Sequence, residues 1–261
     1  MRLAAVLFAS FLAAPALAQN QATASPATRM AADAHPSLAV AAIHLHDPNS
    51  RRQGFNFEGS RYVVRNESVE SLIMFAYAIH PKQILGGPGW IRTDRYDIEG
   101  KPDFPGEPGL KQQQEMLQRL LAERFGLRFV REKRELPVYS IQIAKGGPRL
   151  TPAAKPDAEP DVQGTGHGTE TTLTFTSISM VDLPLAMQFS IPDRPVINQT
   201  GLAGRYDFKL RYTYDEVRAT DPNAPPGMFT AIQEQLGLKL QPVKAAVAVL
   251  VIDHVERPSE N

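Results

Sequence analysis

Two passages of this chain occur twice, in the same order and at nearly the same distance. Arg95-Tyr96-Asp97-Ile98 returns as Arg205-Tyr206-Asp207-Phe208, and Arg124-Phe125-Gly126-Leu127-Arg128-Phe129 returns as Gln235-Leu236-Gly237-Leu238-Lys239-Leu240. Both pairs are offset by roughly 110 positions, and self-similarity at a fixed offset is the mark of a repeated structural unit. A duplicated unit predicts two similar lobes with a seam between them, and ligands commonly bind at such junctions. It leaves the ligand unnamed.

The amino end predicts export. Met1-Arg2 is a short positive start, an apolar run extends from Leu3 to Ala16, and Ala16-Leu17-Ala18 has the small-x-small form of a signal-peptidase site. The run falls short of the ~20 apolar residues that a membrane helix needs. Cleavage before Gln19 is therefore expected, leaving a periplasmic or extracellular protein with no membrane span. The 28 Lys and Arg residues balance 28 Asp and Glu residues. That leaves no basic excess to hold nucleic acid or an anionic membrane surface. The chain has no cysteine, which removes thiol nucleophiles and thiolate metal sites and makes an exported fold depend on its core. At 261 residues it is long enough to build that core.

Residues 19–36 lack an apolar period and are read as a flexible leader. The first unit, 37–150, begins with a strand over 38–43 and continues as strand 55–64, helix 69–79, short strand 83–85 and strand 95–100. Ser68 caps the first helix, and Val69, Leu72, Ile73, Ala76 and Ile79 form its buried stripe. A second helix carries Leu117, Leu120, Leu121 and Phe125 and stops at Gly126. Strands over 127–134 and 137–144 complete the unit. A Pro- and Gly-rich stretch, 151–168, is read as a linker, with a flap over the seam as the alternative. The second unit, 169–261, repeats the order: strand 171–177, helix 181–189, short strand 196–197, strand 205–212, a last helix marked by Phe229, Ile232 and Leu236, and strands 238–242 and 247–254. Pro184 delays the start of its first helix, with Asp182 as the cap. Each unit thus reads β-α-β-β-α-β-β, an α+β fold with helices packed on largely antiparallel sheets.

The familiar catalytic motifs are missing: no His-Glu-x-x-His, no Gly-x-Ser-x-Gly, and no glycine-rich phosphate or dinucleotide loop. His44 and His46 face one way on a strand, as a metal pair would, but lack a third ligand nearby, and His167 stands in a glycine-rich stretch. No catalytic residue, metal site or cofactor is assigned. The candidate binding residues are Trp90, Arg95, Asp97, Arg205 and Asp207. Arg95 with Asp97, and Arg205 with Asp207, share strand faces. They form either same-face salt bridges backed by a core tyrosine or polar patches whose carboxylates work as acid and base. Trp90 follows Gly86-Gly87-Pro88-Gly89, and either pins that loop to the core or offers a stacking platform.

Leu85-Gly86-Gly87-Pro88-Gly89-Trp90-Ile91, Asp94 to Ile98, Arg134-Glu135-Leu136-Pro137-Val138-Tyr139, Thr200-Gly201-Leu202 with Gly204 to Phe208, and the terminal Val251 to Asn261 carry a resemblance. They look like the soil-bacterial, acidobacterial-type secreted family known as domain of unknown function 3738, the Solibacter-type paralogous family. The resemblance covers most of the chain and implies no established activity; relatives joined to membrane-embedded metallopeptidase sensors suggest an extracytoplasmic sensing or binding role. A helix ending in Gly-Leu before two strands is similar to the short amino-terminal domains of secretins and some TonB-dependent receptors, which mediate contacts between periplasmic proteins; the likeness implies exposed strand edges here that pair with a partner strand. The leading expectation is an uncharacterised exported protein that acts as a non-catalytic ligand-binding or protein-interaction module, its partner an envelope protein or a small ligand. The alternative is a hydrolase acting on envelope or environmental polymer through carboxylates at the inter-repeat seam.

Overall fold

A computed structural model describes residues 29–50, 52–167, 169–188, 191, 193–213 and 224–258. The expected signal peptide, the leader up to residue 28 and residues 214–223, between the strand over 205–212 and the last helix, lie outside the described residues. The fold is α+β. Strands β1 (Leu38–Leu45), β2 (Gly54–Glu58), β3 (Arg61–Ser68) and β5 (Arg95–Pro102) form one antiparallel sheet in the order β1-β5-β3-β2. Strands β7 (Thr151–Pro152), β8 (Asp161–His167), β9 (Glu170–Ser179) and β11 (Arg205–Thr213) form a second, β7-β11-β9-β8. Between them lies a sheet built on two long strands, β6 (Arg128–Ile143) and β12 (Leu238–His254), which pair antiparallel. Short parallel strands flank it: β4 (Ile84–Gly86) beside β12, and β10 (Val196–Asn198) beside β6. Each half of the chain thus lends a strand to the other half's long strand.

Helix α1 (Val69–Tyr77) begins as predicted: the Ser71 amide donates to Ser68 Oγ at 3.0 Å. It ends where Ala78 turns left-handed at φ 56°. Its stripe meets α3 (Leu110–Arg124), whose Met116, Leu117, Leu120 and Leu121 are buried. With Tyr62, Val64 and Ile98 from the first sheet and Leu250 from β12 they make one core. A second core joins Phe175 and Leu210 to Leu183 and Met187 of α4 (Leu183–Gln188), Ile232 and Leu236 of α5 (Met228–Leu236), and Ile141 and Leu238 of the long strands. Each fully buried aliphatic side chain contributes about 1.5–3 kcal/mol, so these clusters carry the fold without disulfides.

Several expectations are corrected. The strand over 55–64 is a hairpin that turns at Gly59 (φ 65°) between β2 and β3. A short helix, α2 (Trp90–Thr93), follows the Gly86-Gly87-Pro88-Gly89 turn, where the sequence assigned no element. Neither Pro137 nor Pro242 interrupts its strand. The flanking strand β10 pairs only with Tyr139–Ile141 and β4 only with 250–252, so each proline can turn its N–H-less edge away from any neighbour. The stretch 151–168 holds β7 and β8, and β8 pairs with β9 from Asp161 to His167.

Candidate functional site

The paired Arg-Tyr-Asp segments open β5 and β11, and each aspartate stands opposite a bulge in the neighbouring strand. On β3 the register shifts between Val64 and Glu67, and Asn66 is left-handed at φ 54°. Asp97 Oδ1 accepts from the Asn66 amide at 2.9 Å and lies 2.7 Å from His46 Nδ1. On β9 the same irregularity leaves Ser177 at φ 51°, and Asp207 accepts from the Ser177 amide at 2.7 Å and the Ala154 amide at 2.9 Å. The Ser177 amide first, and Ala154 after it, hold the Asp207 carboxyl below the usual carboxylate range. Arg205 Nη1 donates to the Ser177 carbonyl at 2.7 Å, while Arg95 is exposed and offers its carbonyl to the His46 amide. No Arg–Asp ion pair forms within either copy among the described residues, which corrects the same-face salt bridge expected from the sequence. The two carboxylates belong to different sheets and are engaged in fastening bulges.

Trp90 starts α2 and packs half-buried against the first core. Arg257 lies over its ring at 5.0 Å and bonds Asp94 at 3.0 Å, so a cation covers one indole face. In the preceding loop Gly87 has no room for a side chain: a Cβ there would stand 2.9 Å from Ile91 Cδ1 and 3.1 Å from Ile252 Cδ1. This is the loop-pinning arrangement.

The seam lies on one face of the long strands, where Lys133, Glu135 and Pro137 pair with Ala248, Ala246 and Lys244 between the two cores. These side chains are exposed. At its rim the Tyr139 hydroxyl donates to Asp193 Oδ2 at 3.0 Å, Arg194 lies over the Tyr139 ring at 5.1 Å, and Lys82 Nζ donates to the Asp193 carbonyl. The Asp193 carboxylate is thus bound to a phenol, whose proton is held more tightly by burial and by that carboxylate. Among the described residues no cluster of three or more His, Asp or Glu side chains is placed to hold a metal. His46, placed by the sequence on one strand face with His44, is held against Asp97 with a side chain only 5% exposed. Glu67, missed in the sequence, is a buried carboxyl pushed up by desolvation, tempered by Ser71, Gln53 and Arg95.

A concavity lies elsewhere, as a groove of about 460 Å³ between β1 and α3. Its floor and near wall are Ser37, Leu38, Ala39, Ala41 and Ala42; its far wall is Arg119, Leu120, Glu123 and Arg124. β1 is an edge strand, held on its inner side by β5. Arg124 Nη1 donates to the Ala41 carbonyl at 2.9 Å. Sequence reasoning found the apolar stripe of α3 and overlooked these flanking arginines, whose only signal is their place beside Leu120 and Leu121.

The profile of DUF3738, described as a protein of unknown function, matches residues 70–255. The chain belongs to this family. The match takes in both Arg-Tyr-Asp segments and both long strands and begins beyond β1, so the β1 strand of the groove stands outside the portion that defines the family. No curated protein and no solved structure matches the chain.

Proposed function

We propose that this chain is an exported, non-catalytic protein-interaction module that engages its partner along the outer edge of β1. The observation that carries the reading is the groove between that edge and α3, since an edge strand beside a helix is a recurrent seat for extended segments. The binding reading gains support from the carboxylates weighed for acid–base work, because Asp97 and Asp207 are taken up by backbone amides and Asp193 by Tyr139. Export to the periplasm or beyond is supported by residues 1–18, with cleavage before Gln19.

The module is built, in this reading, from two copies of one unit, 37–150 and 169–261, the second completed by β7 and β8 of the 151–168 stretch. What supports duplication is the strand order of the outer sheets, β1-β5-β3-β2 and β7-β11-β9-β8, and the aspartate that fastens a left-handed bulge residue in each. The test is a thermal-shift screen of the purified protein against peptides, oligosaccharides, cell-wall fragments and divalent metals. Ligands that bind only the native state raise its melting temperature. A saturable shift with peptides supports the reading; turnover of any member of the panel overturns it.

A further inference from the structure

The long strand β6 has an outer edge that the fold leaves open over most of its length. Its short neighbour β10 shows which backbone groups point outward there: the Tyr139 amide donates to the Pro195 carbonyl at 2.8 Å, and the Ile141 carbonyl accepts from the Gln199 amide at 2.9 Å. Alternate residues of a strand turn their backbone groups the same way, so Phe129, Arg131, Lys133, Glu135 and Pro137 also turn theirs outward, away from β12. Among the described residues no strand pairs with this edge before Tyr139. Pro137, which has no N–H, closes the open stretch.

The charges along this edge complement themselves. A second copy of β6, laid antiparallel about a twofold axis at Lys133, brings Arg131 opposite Glu135 of the second copy and Glu132 opposite Arg134, and symmetry repeats each pairing. Arg131, Lys133 and Glu135 are exposed and make no ion pair among the described residues; Arg131 only lies over the rings of Tyr77 and Phe129. Glu132 and Arg134 pair within the chain, and the second copy sets two such pairs side by side with opposite charges facing. Val130, 54% exposed, meets Leu136 of the second copy. The like pair, Lys133 with itself, stands on long exposed side chains free to part.

The neighbouring registers fail. An axis between two residues sets an outward residue against an inward one, so the ladder cannot form. With the axis at Glu132, that carboxylate faces itself and Arg131 faces Lys133. With the axis at Arg134, Arg128 at the start of the second β6 stands opposite Ser140, in the place that Ile197 of β10 holds. With the axis at Lys133, Arg128 falls opposite Val138, just short of Tyr139 where β10 begins. We propose that two copies of this chain associate through the edges of β6, antiparallel about Lys133, joining their central four-stranded sheets into one. This interface is separate from the β1 edge and does not rest on it.

The test is sedimentation equilibrium of the purified protein over a concentration series, which should show a reversible monomer–dimer equilibrium. Glu135→Arg and Arg131→Glu each set like charges opposite one another and should weaken the dimer roughly tenfold; the double variant restores the pairing with signs exchanged and should return to within about threefold of the parent. The double variant also lacks the Arg131 contacts with Tyr77 and Phe129, so its recovery separates charge pairing from a general loss of stability. Lys133→Pro removes an outward N–H at the axis and should abolish the dimer while the circular dichroism spectrum is kept. A protein that stays monomeric across the series overturns the proposal, the edge charges then serving only to hold other strands off. A dimer indifferent to the single reversals, or one that the double variant fails to restore, overturns the β6 interface.

Discussion

Asp97 and Asp207 show how one side chain fixes a strand irregularity that neither backbone could hold alone. A non-glycine residue with positive φ is uncommon, and Asn66 and Ser177 each turn an amide toward the aspartate that accepts it. Asp97→Ala should lower stability by about 1–3 kcal/mol in urea unfolding, because it strands the Asn66 amide and the ring of His46. Asp207 gives a pH signature. Its carboxyl is depressed in the folded state, so its contribution is present above the unfolded carboxylate range and is lost as pH falls through the folded value. Asp207→Asn should therefore melt lower than the parent at neutral pH and converge with it in acid, as followed by thermal melts across pH. The opposite case is Tyr62, whose buried hydroxyl has no hydrogen-bond partner among the described residues and whose phenol burial drives far above its ordinary range. Tyr62→Phe removes that group and should leave stability unchanged or raise it by up to about 1 kcal/mol. At this scale the motif was legible and its meaning was not: repetition marked the aspartates, but a carboxylate opposite a bulge depends on pairing that no local pattern reveals.

Among the elements, helices were the most readable. The stripe from Val69 to Ile79 and the Ser68 cap follow from short-range periodicity, and all five stripe residues are buried. Ser68→Ala should cost about 1 kcal/mol, measured by urea unfolding, with the Ser71 amide left without its acceptor. Strands were misread wherever a punctuating residue had a second use. Pro137 and Pro242 looked like breaks because proline removes a ladder donor, yet among the described residues neither has a strand paired on the outer side of its long strand. Glu58-Gly59-Ser60-Arg61 hid a hairpin, since two strands rich in aromatic and branched residues ran together as one. The 151–168 stretch was read by its prolines and glycines, and β8 is held by β9 instead of by its own propensity.

At the scale of the whole molecule, the two long strands serve both cores. On β12 alone, Leu238 is fully buried in the second core and Leu250 in the first, while β6 supplies Ile141 to one and Phe129 to the other. The exchange of β4 and β10 ties each half to the far strand of the other. Such sharing predicts a single cooperative transition, since neither core can be lost without unzipping the strands that build its counterpart. Trp90, the sole tryptophan, packs on the first core and reports it by fluorescence, whereas far-ultraviolet circular dichroism reports both. Leu238→Ala leaves a cavity in the second core and should cost about 2–5 kcal/mol. The Trp90 and circular dichroism midpoints in urea should then fall together, although the substitution lies in the other core. If the Trp90 transition stays at the parent midpoint while circular dichroism shifts, the halves unfold independently and the shared strands are a junction without mechanical consequence.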